Sequence, residues 1–257
     1  MAREGFVDLH IHILPGVDDG PQDWEESIRM AKVAQEEGII AVTATPHNIG
    51  FGQEVNQKLV LSLVEELRAR LQKEGIELEV FPGIEVMVMP EVFLFLEEGK
   101  AFTLNGSKYI LVELPYTFYP VYSEYVLFKL MERGYRPILA HPERYVYFQN
   151  RPELLKPLVK SGLLLQVTSG SITGELGGKA KEFSRRLLQE GLVHIIATDA
   201  HSAKWRKPAM REAVEEAAQI VGWEKALAMA SHNPKAILEG KEVREVWGPS
   251  SSGADAK

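Results

Sequence analysis

The sequence predicts an α/β protein of alternating strands and helices, with a metal site at the carboxyl ends of the strands. Three observations predict it. Seven short apolar runs recur along the chain, helical patterns separate them, and six of the seven end in a side chain that can ligate a metal. Repeated strand–helix order tends to give a parallel sheet, open or closed. If the sheet closes, its carboxyl ends converge on one face, and residues far apart in sequence meet there.

The first run, Phe6-Val7, leads into Asp8-Leu9-His10-Ile11-His12. Side chains alternate across a strand, so both imidazoles share one side and can share an ion. Asp8 reads as a partner that orients His10. Asp18-Asp19-Gly20-Pro21 is either an ordinary turn or a carboxylate reaching back to a metal. Asp23 starts a helix in which Trp24, Ile28, Ala31 and Val33-Ala34 fall at helical spacing, and Gly38 stops it. The run 39–45 leads to His47. Residues 54–74 repeat the helical plan with Leu59, Leu63, Leu67 and Leu71, closed by Gly75.

The run 78–84 ends at Glu85, and a helix is expected near 91–98. The run 109–112 ends at Glu113, followed by a helix near 121–133. The run 137–140 ends at His141, followed by a helix near 152–160. The run 163–167 ends in Thr168 and carries no strong ligand. After a helix near 177–190, the run 192–198 ends in Asp199-Ala200-His201. Helices near 208–220 and 222–231 follow, and Asn233-Pro234 starts a last short one, with Pro at its first position. His194 within a strand and His232 on a late helix read as structural. Residues 1–247 read as one domain, and the Gly-, Ser- and Ala-rich stretch 248–257 as a disordered tail.

A length of 257 residues suits one barrel or one large α/β domain, and 45% hydrophobic residues support a sizeable core. No apolar run approaches the ~18 residues that span a membrane. No signal peptide is visible, so a cytoplasmic location is expected. The absence of cysteine removes mechanisms built on a cysteine nucleophile. A net charge of -7 without a long basic run argues against nonspecific nucleic-acid binding.

A lone His or Glu at a strand end is more often a satisfied polar residue than a ligand. The conjunction of five such ends, with His-x-His at the first and Asp-x-His at the last, is hard to obtain by accident. Nitrogen and carboxylate ligands without thiolate suit Mn, Fe or Zn. That many ligands fits two divalent ions, and three better.

These residues resemble the polymerase-and-histidinol-phosphatase (PHP) superfamily: His-x-His first, then a His, then carboxylates and a His, then Asp-x-His. The resemblance narrows to the bacterial manganese-dependent protein tyrosine phosphatases of capsular and exopolysaccharide synthesis. It rests on the run from Leu9 to Pro21, Thr45-Pro46-His47, Pro82-Gly83-Ile84-Glu85, His141-Pro142-Glu143-Arg144 and Thr198-Asp199-Ala200-His201. It covers roughly residues 5–240 and implies a distorted (β/α)7 barrel of the PHP type. Metal ligands are implied at His10, His12, Asp19, His47, Glu85, Glu113, His141, Asp199 and His201, with Asp19 preferred to Asp18 on the resemblance alone. Phosphate contacts are implied at Arg144 and Arg206. One departure is the loop Asn48-Ile49-Gly50-Phe51-Gly52, where relatives often carry more His or basic residues.

The activity implied is metal-dependent hydrolysis of phosphotyrosine, with Mn²⁺ as the expected ion. The implied substrate is the tail of a bacterial tyrosine kinase. Asp199 and His201 are the nearest candidates to protonate the leaving group. Tyr116-Thr117-Phe118-Tyr119-Pro120-Val121-Tyr122 reads either as an aromatic rim for a tyrosyl substrate or as packing. The alternatives are a small-molecule phosphatase such as histidinol-phosphate phosphatase, a nuclease or polymerase-associated module, and a metal-stabilised scaffold without catalysis.

Overall fold

The computed structural model describes residues 5–50, 52 and 54–243. The tail expected at 248–257 and the last residues of the expected domain, 244–247, lie outside the described residues.

Strands and helices alternate from the start: β1 (Phe6–Ile11), α1 (Trp24–Glu36), β2 (Ile39–Ala44), α2 (Gln57–Lys73), β3 (Glu79–Pro82) and β4 (Glu85–Met87). They continue as α3 (Val92–Glu97), β5 (Tyr109–Glu113), α4 (Ser123–Glu132), β6 (Arg136–Ala140), α5 (Val146–Asn150), α6 (Leu155–Lys160) and β7 (Leu164–Thr168). The chain closes with α7 (Ser169–Thr173), α8 (Gly178–Gln189), β8 (Ile195–Ala197), α9 (Arg211–Val221), α10 (Trp223–Leu227) and α11 (Asn233–Leu238). Asp23 caps α1 by accepting from the Glu26 N–H at 2.8 Å, and Asn56 caps α2 by accepting from the Leu59 N–H at 3.0 Å. The buried stripe of α2 is Val60, Val64, Leu67 and Leu71. The expected Leu59 and Leu63 lie at its edge, partly buried. Each buried stripe residue contributes about 1.5–3 kcal/mol of transfer free energy.

The strands form two parallel sheets, ordered β1-β2-β3 and β4-β5-β6-β7-β8. The third apolar run, expected as one strand ending in Glu85, is divided between the two sheets. Gly83 marks the break: a Cβ there would stand 2.7 Å from Leu104 and 2.7 Å from Thr43 side-chain atoms. Glu85 therefore opens β4 instead of closing a strand. Isolated bridges mark both seams, His47 to Glu85 and Ile11 to Ala200.

Alternation sorts the strand residues into two cores. Ile110, Val112, Leu139, Leu165, Val167 and Ile196 pack with helix residues such as Met30, Leu67, Leu130 and Val214. Their neighbours Tyr109, Leu111, Ile138, Ala140, Leu164, Ile195 and Ala197 form a second cluster with Val7, Leu9 and Ala41 from the other sheet. One inner cluster thus draws on both sheets, and Leu104, Ile237 and Leu238 complete it. The β1–β2 register slips between Asp8 and Ile11, so Ile11 joins the outer core although Val7 and Leu9 belong to the inner one.

Candidate metal centre

Glu113 ends β5, inward in phase with Tyr109 and Leu111, and Gln166 on β7 is inward in phase with Leu164. His141 and Asp199, just past β6 and β8, have positive φ angles of 38° and 51°. Non-glycine residues rarely adopt this conformation, which costs of order 1–3 kcal/mol and clusters at working sites. Arg206 does the same at 48°.

Nε2 of His10 and Nε2 of His12 stand 3.1 Å apart. The other nitrogen of each ring faces an acceptor: Nδ1 of His10 lies 2.9 Å from Gln166 Oε1, and Nδ1 of His12 lies 2.7 Å from Asp18 Oδ2. With protons held at both Nδ1 atoms, each ring that loses its second proton presents an Nε2 lone pair toward the other. Glu85 Oε2 and Asp199 Oδ1 approach the same pair of nitrogens at 3.2–3.5 Å. Lone pairs converging without a proton between them repel, and a cation placed among them removes the repulsion. The donor set therefore fits a metal on its own geometry.

Among the described residues, four overlapping groups of side chains could hold ions: His12, Asp19, His47 and His201; His10, His12 and Glu85; His10, His141 and Asp199; His47, Glu85 and Glu113. All nine residues singled out by the resemblance fall in these groups. Glu85 is shared: His141 Nε2 reaches its Oε1 at 3.0 Å and His47 Nδ1 its Oε2 at 3.1 Å. Asp19, partly exposed, faces His201 Nε2 at 3.2 Å and His47 Nε2 at 3.6 Å. Asp18 is buried, accepts the Gly20 N–H at 2.9 Å and orients His12. Gly20 packs against His12, whose backbone oxygen would stand 2.6 Å from an added Cβ.

The charges match this arrangement. Burial pushes the Glu85 and Asp199 carboxyls up. The imidazoles around Glu85, and His10, His12 and Arg206 around Asp199, outweigh burial and hold both well below the usual range. Burial opposes charge on Asp19 too, but hydrogen bonding and charge at His201, with His12 and His47, lower it to about 2. Burial brings His141 down to about 4 and pushes Glu113 up.

Arg144 and Arg206 flank the cluster. Nη1 of Arg144 donates to Asp199 Oδ2 at 2.7 Å, and Nη2 of Arg206 approaches the same oxygen at 2.5 Å and the Asp199 carbonyl at 3.0 Å. Tyr116 stacks on His141, with ring centroids 5.5 Å apart, and Arg144 sits 4.9 Å from its centroid. The aromatic stretch divides: Tyr116 lies beside the site, Tyr119 packs on Tyr147 and Phe148, and Phe118 and Val121 are exposed.

Asp8 does not orient the His10 ring. Its Oδ1 accepts the N–H groups of His10 and Thr198 at 3.2 and 3.0 Å, and its Oδ2 meets the Thr198 hydroxyl. Asp8 thereby ties β1 to the chain after β8. The residue that faces the His10 ring nitrogen is Gln166, from the one run without a terminal ligand. Its signal in the sequence was a lone amide inside an apolar strand. Glu143, within the His-Pro-Glu-Arg block, is buried, and its Oε1 accepts the Thr168 N–H at 3.0 Å. His194 accepts the Leu165 N–H at Nδ1, away from the cluster.

The fold and the site define a parallel α/β protein with a candidate polynuclear metal centre at the carboxyl ends of its strands. The chain belongs to the family described as Capsular polysaccharide synthesis, CpsB/CapC, which matches residues 6–239. It is 38% identical over 238 residues to the tyrosine-protein phosphatase YwqE of Bacillus subtilis, covering 93% of each chain. It is 30% identical over 238 residues, again 93% of each, to the putative tyrosine-protein phosphatase CapC of Staphylococcus aureus. A crystal structure from a study of B. subtilis YwqE and Streptococcus pneumoniae CpsB, described as metal-dependent tyrosine phosphatases, superposes with a TM-score of 0.90. That match has 37% identity and covers 95% of this chain and 99% of the other. Histidinol phosphate phosphatase of Lactococcus lactis shares the fold at a TM-score of 0.55 and 15% identity, over 86% of this chain and 94% of its own.

Proposed function

We propose that this chain is a metal-dependent protein tyrosine phosphatase. The observation that carries the reading is the convergence of His10, His12, Glu85 and Asp199 lone pairs on one point, with Arg144 and Arg206 beside it. The family relationship supports it. The ligands are His10, His12, Asp19, His47, Glu85, Glu113, His141, Asp199 and His201. They would hold two or three divalent ions, manganese first among the candidates. Residues 1–247 are read as one domain whose seven strand runs close into a distorted barrel, a reading supported by the two seam bridges and the shared inner core.

Bound divalent ions supply an acidified water and neutralise phosphate charge. The protein supplies orientation. Gln166 and Asp18 hold His10 and His12 with Nε2 toward the centre. Arg144 and Arg206 offer planar guanidinium donors to phosphate oxygens. Asp199 is held ionised, which suits a ligand and not a proton donor. His201, also read as a ligand, is held below its usual range by burial and the charge of His12, so it is no better suited to protonate the departing phenolate. A tyrosine oxygen, with an ordinary pKa of about 10, needs little such help.

The substrate proposed is the phosphotyrosine tail of a bacterial tyrosine kinase. The test compares initial rates on a phosphotyrosine peptide, a phosphoserine peptide and histidinol phosphate, with Mn²⁺ and after chelation. Metal-dependent preference for phosphotyrosine is expected. Preference for histidinol phosphate would move the function to small-molecule hydrolysis.

A further inference from the structure

Beside Arg144, on the flank that carries Tyr116, lies an open cavity of about 440 Å³. Tyr116, Arg144, Gln149 and Lys179 line it, together with other residues around the start of α8. Arg144 belongs to both places, since its Nη1 donates to Asp199 while the residue lines the cavity.

The cavity is cationic within an acidic protein. The chain carries a net charge of -7, yet among the described residues the charged ones that line this cavity are Arg144 and Lys179, with no carboxylate. Glu175 and Glu182, the nearest acids in sequence to Lys179, do not line it. The side chain of Lys179 is exposed and has no ion pair or hydrogen-bond partner among the described residues. Most exposed lysines need no explanation. This one stands across a cavity from a guanidinium that flanks the candidate centre.

We propose that this cavity is a peptide subsite that takes an anionic side chain next to the phosphotyrosine, with Lys179 as its specificity residue. The inference rests on the phosphatase reading above. Neighbouring residues of an extended peptide are about 3.3–3.6 Å apart, so a side chain flanking the phosphotyrosine can enter a cavity that begins at Arg144. Tyr116 forms the wall between the two places, through its contacts with His141 and Arg144. A carboxylate and a phosphate share the chemistry Lys179 would recognise, and flanking glutamate and phosphoserine distinguish them.

The test uses the full chain loaded with Mn²⁺ and phosphotyrosine peptides that differ only at the flanking position: Gln, Glu, phosphoserine or Lys. The readout is the ratio of kcat/KM between peptides within each enzyme, so a general loss of activity does not obscure it. Glu or phosphoserine is expected to exceed Gln by about three- to tenfold, mainly through KM. The advantage should shrink in roughly 0.5 M salt, where screening acts over a few ångströms. Lys179→Glu should reverse the order in favour of the Lys peptide, and Lys179→Gln should flatten it. A ratio near one in the unmodified enzyme, or one unchanged in both variants, overturns the subsite. That result is also expected if the cavity takes the phosphotyrosine ring itself. Failure to hydrolyse any phosphotyrosine peptide would sink the phosphatase reading instead.

Discussion

Oε1 of Gln166 lies 2.9 Å from Nδ1 of His10, across the interior from β7 to β1. The contact fixes which nitrogen of His10 faces the candidate ions. Gln166→Leu preserves bulk but removes the acceptor. Loss of such an orienting partner typically costs 10–100-fold in metal affinity. A metal titration that found the affinity unchanged would show that the His10 ring is held by packing alone.

Asp18 and Asp19 are adjacent in sequence and are expected to behave differently. Asp19→Asn should lower the number of ions bound per chain, because Asp19 faces His47 and His201 directly. Asp18→Asn should leave that number unchanged and weaken binding, because Asp18 acts through His12. Elemental analysis after dialysis against Mn²⁺ distinguishes them; equal stoichiometry in both variants would remove Asp19 from the ligand set.

Arg144→Lys keeps the charge and loses the planar fork. A fall in kcat/KM of roughly 100-fold is expected, on the scale of losing an oriented donor at a developing charge. Metal content should stay constant. A variant that loses metal in proportion to activity would mean that Arg144 works by holding Asp199, not substrate.

Protons compete with metal for the same nitrogens. Burial lowers His10 and His12, but carboxylates outweigh it and raise both: Glu85 and Asp199 for His10, chiefly Asp18 for His12. Ions must displace these protons, so affinity should rise with pH through the neutral range. Calorimetry in buffers of differing ionisation heat would report the released protons. A count of zero would contradict the raised imidazoles.

His194 has the opposite shift, down to about 4, because burial disfavours its charge. The unfolded chain, with an ordinary value near 6.5, then binds more protons than the folded one between these limits. Stability is full above about pH 6.5 and lost toward pH 4, by about 3 kcal/mol in all. His194→Asn, which retains an acceptor for the Leu165 N–H, should flatten that slope in urea unfolding with chelator present. An unchanged slope would assign the pH dependence to other groups.

Chelation should lower the melting temperature, and restored Mn²⁺ should raise it again, since ions that bind only the folded chain stabilise it by mass action. His10→Ala should reduce this response. A melting temperature indifferent to chelator would argue against tight binding.

The candidate ligand set was legible because each apolar run stops at a polar residue, and a run of alternating strands and helices tends to send those stops to one end. His10, His12, His47, Glu113, His141 and Asp199 needed no coordinates to be nominated. The strand break at Gly83 was not legible. It depends on Leu104 and Thr43 leaving no room for a Cβ, and those contacts come from other elements. The role of Asp8 was not legible either, because Thr198, the residue it holds, is 190 positions away in the chain. The register slip after Asp8 cannot be read from local pattern either, since it is a property of the pairing with β2.

The sequence by itself determined the alternation of strands and helices and the chemistry of the candidate donors. Periodicity and side-chain type are local properties, and the chain carries them wherever it folds. Only the tertiary structure decided that Gln166 serves His10, that Asp18 orients His12 while Asp19 faces His47 and His201, and that Arg144 and Arg206 meet on one oxygen of Asp199. Each of these is a contact between groups on separate segments of the chain. Such contacts depend on register and backbone turn to within an ångström, which no local pattern encodes.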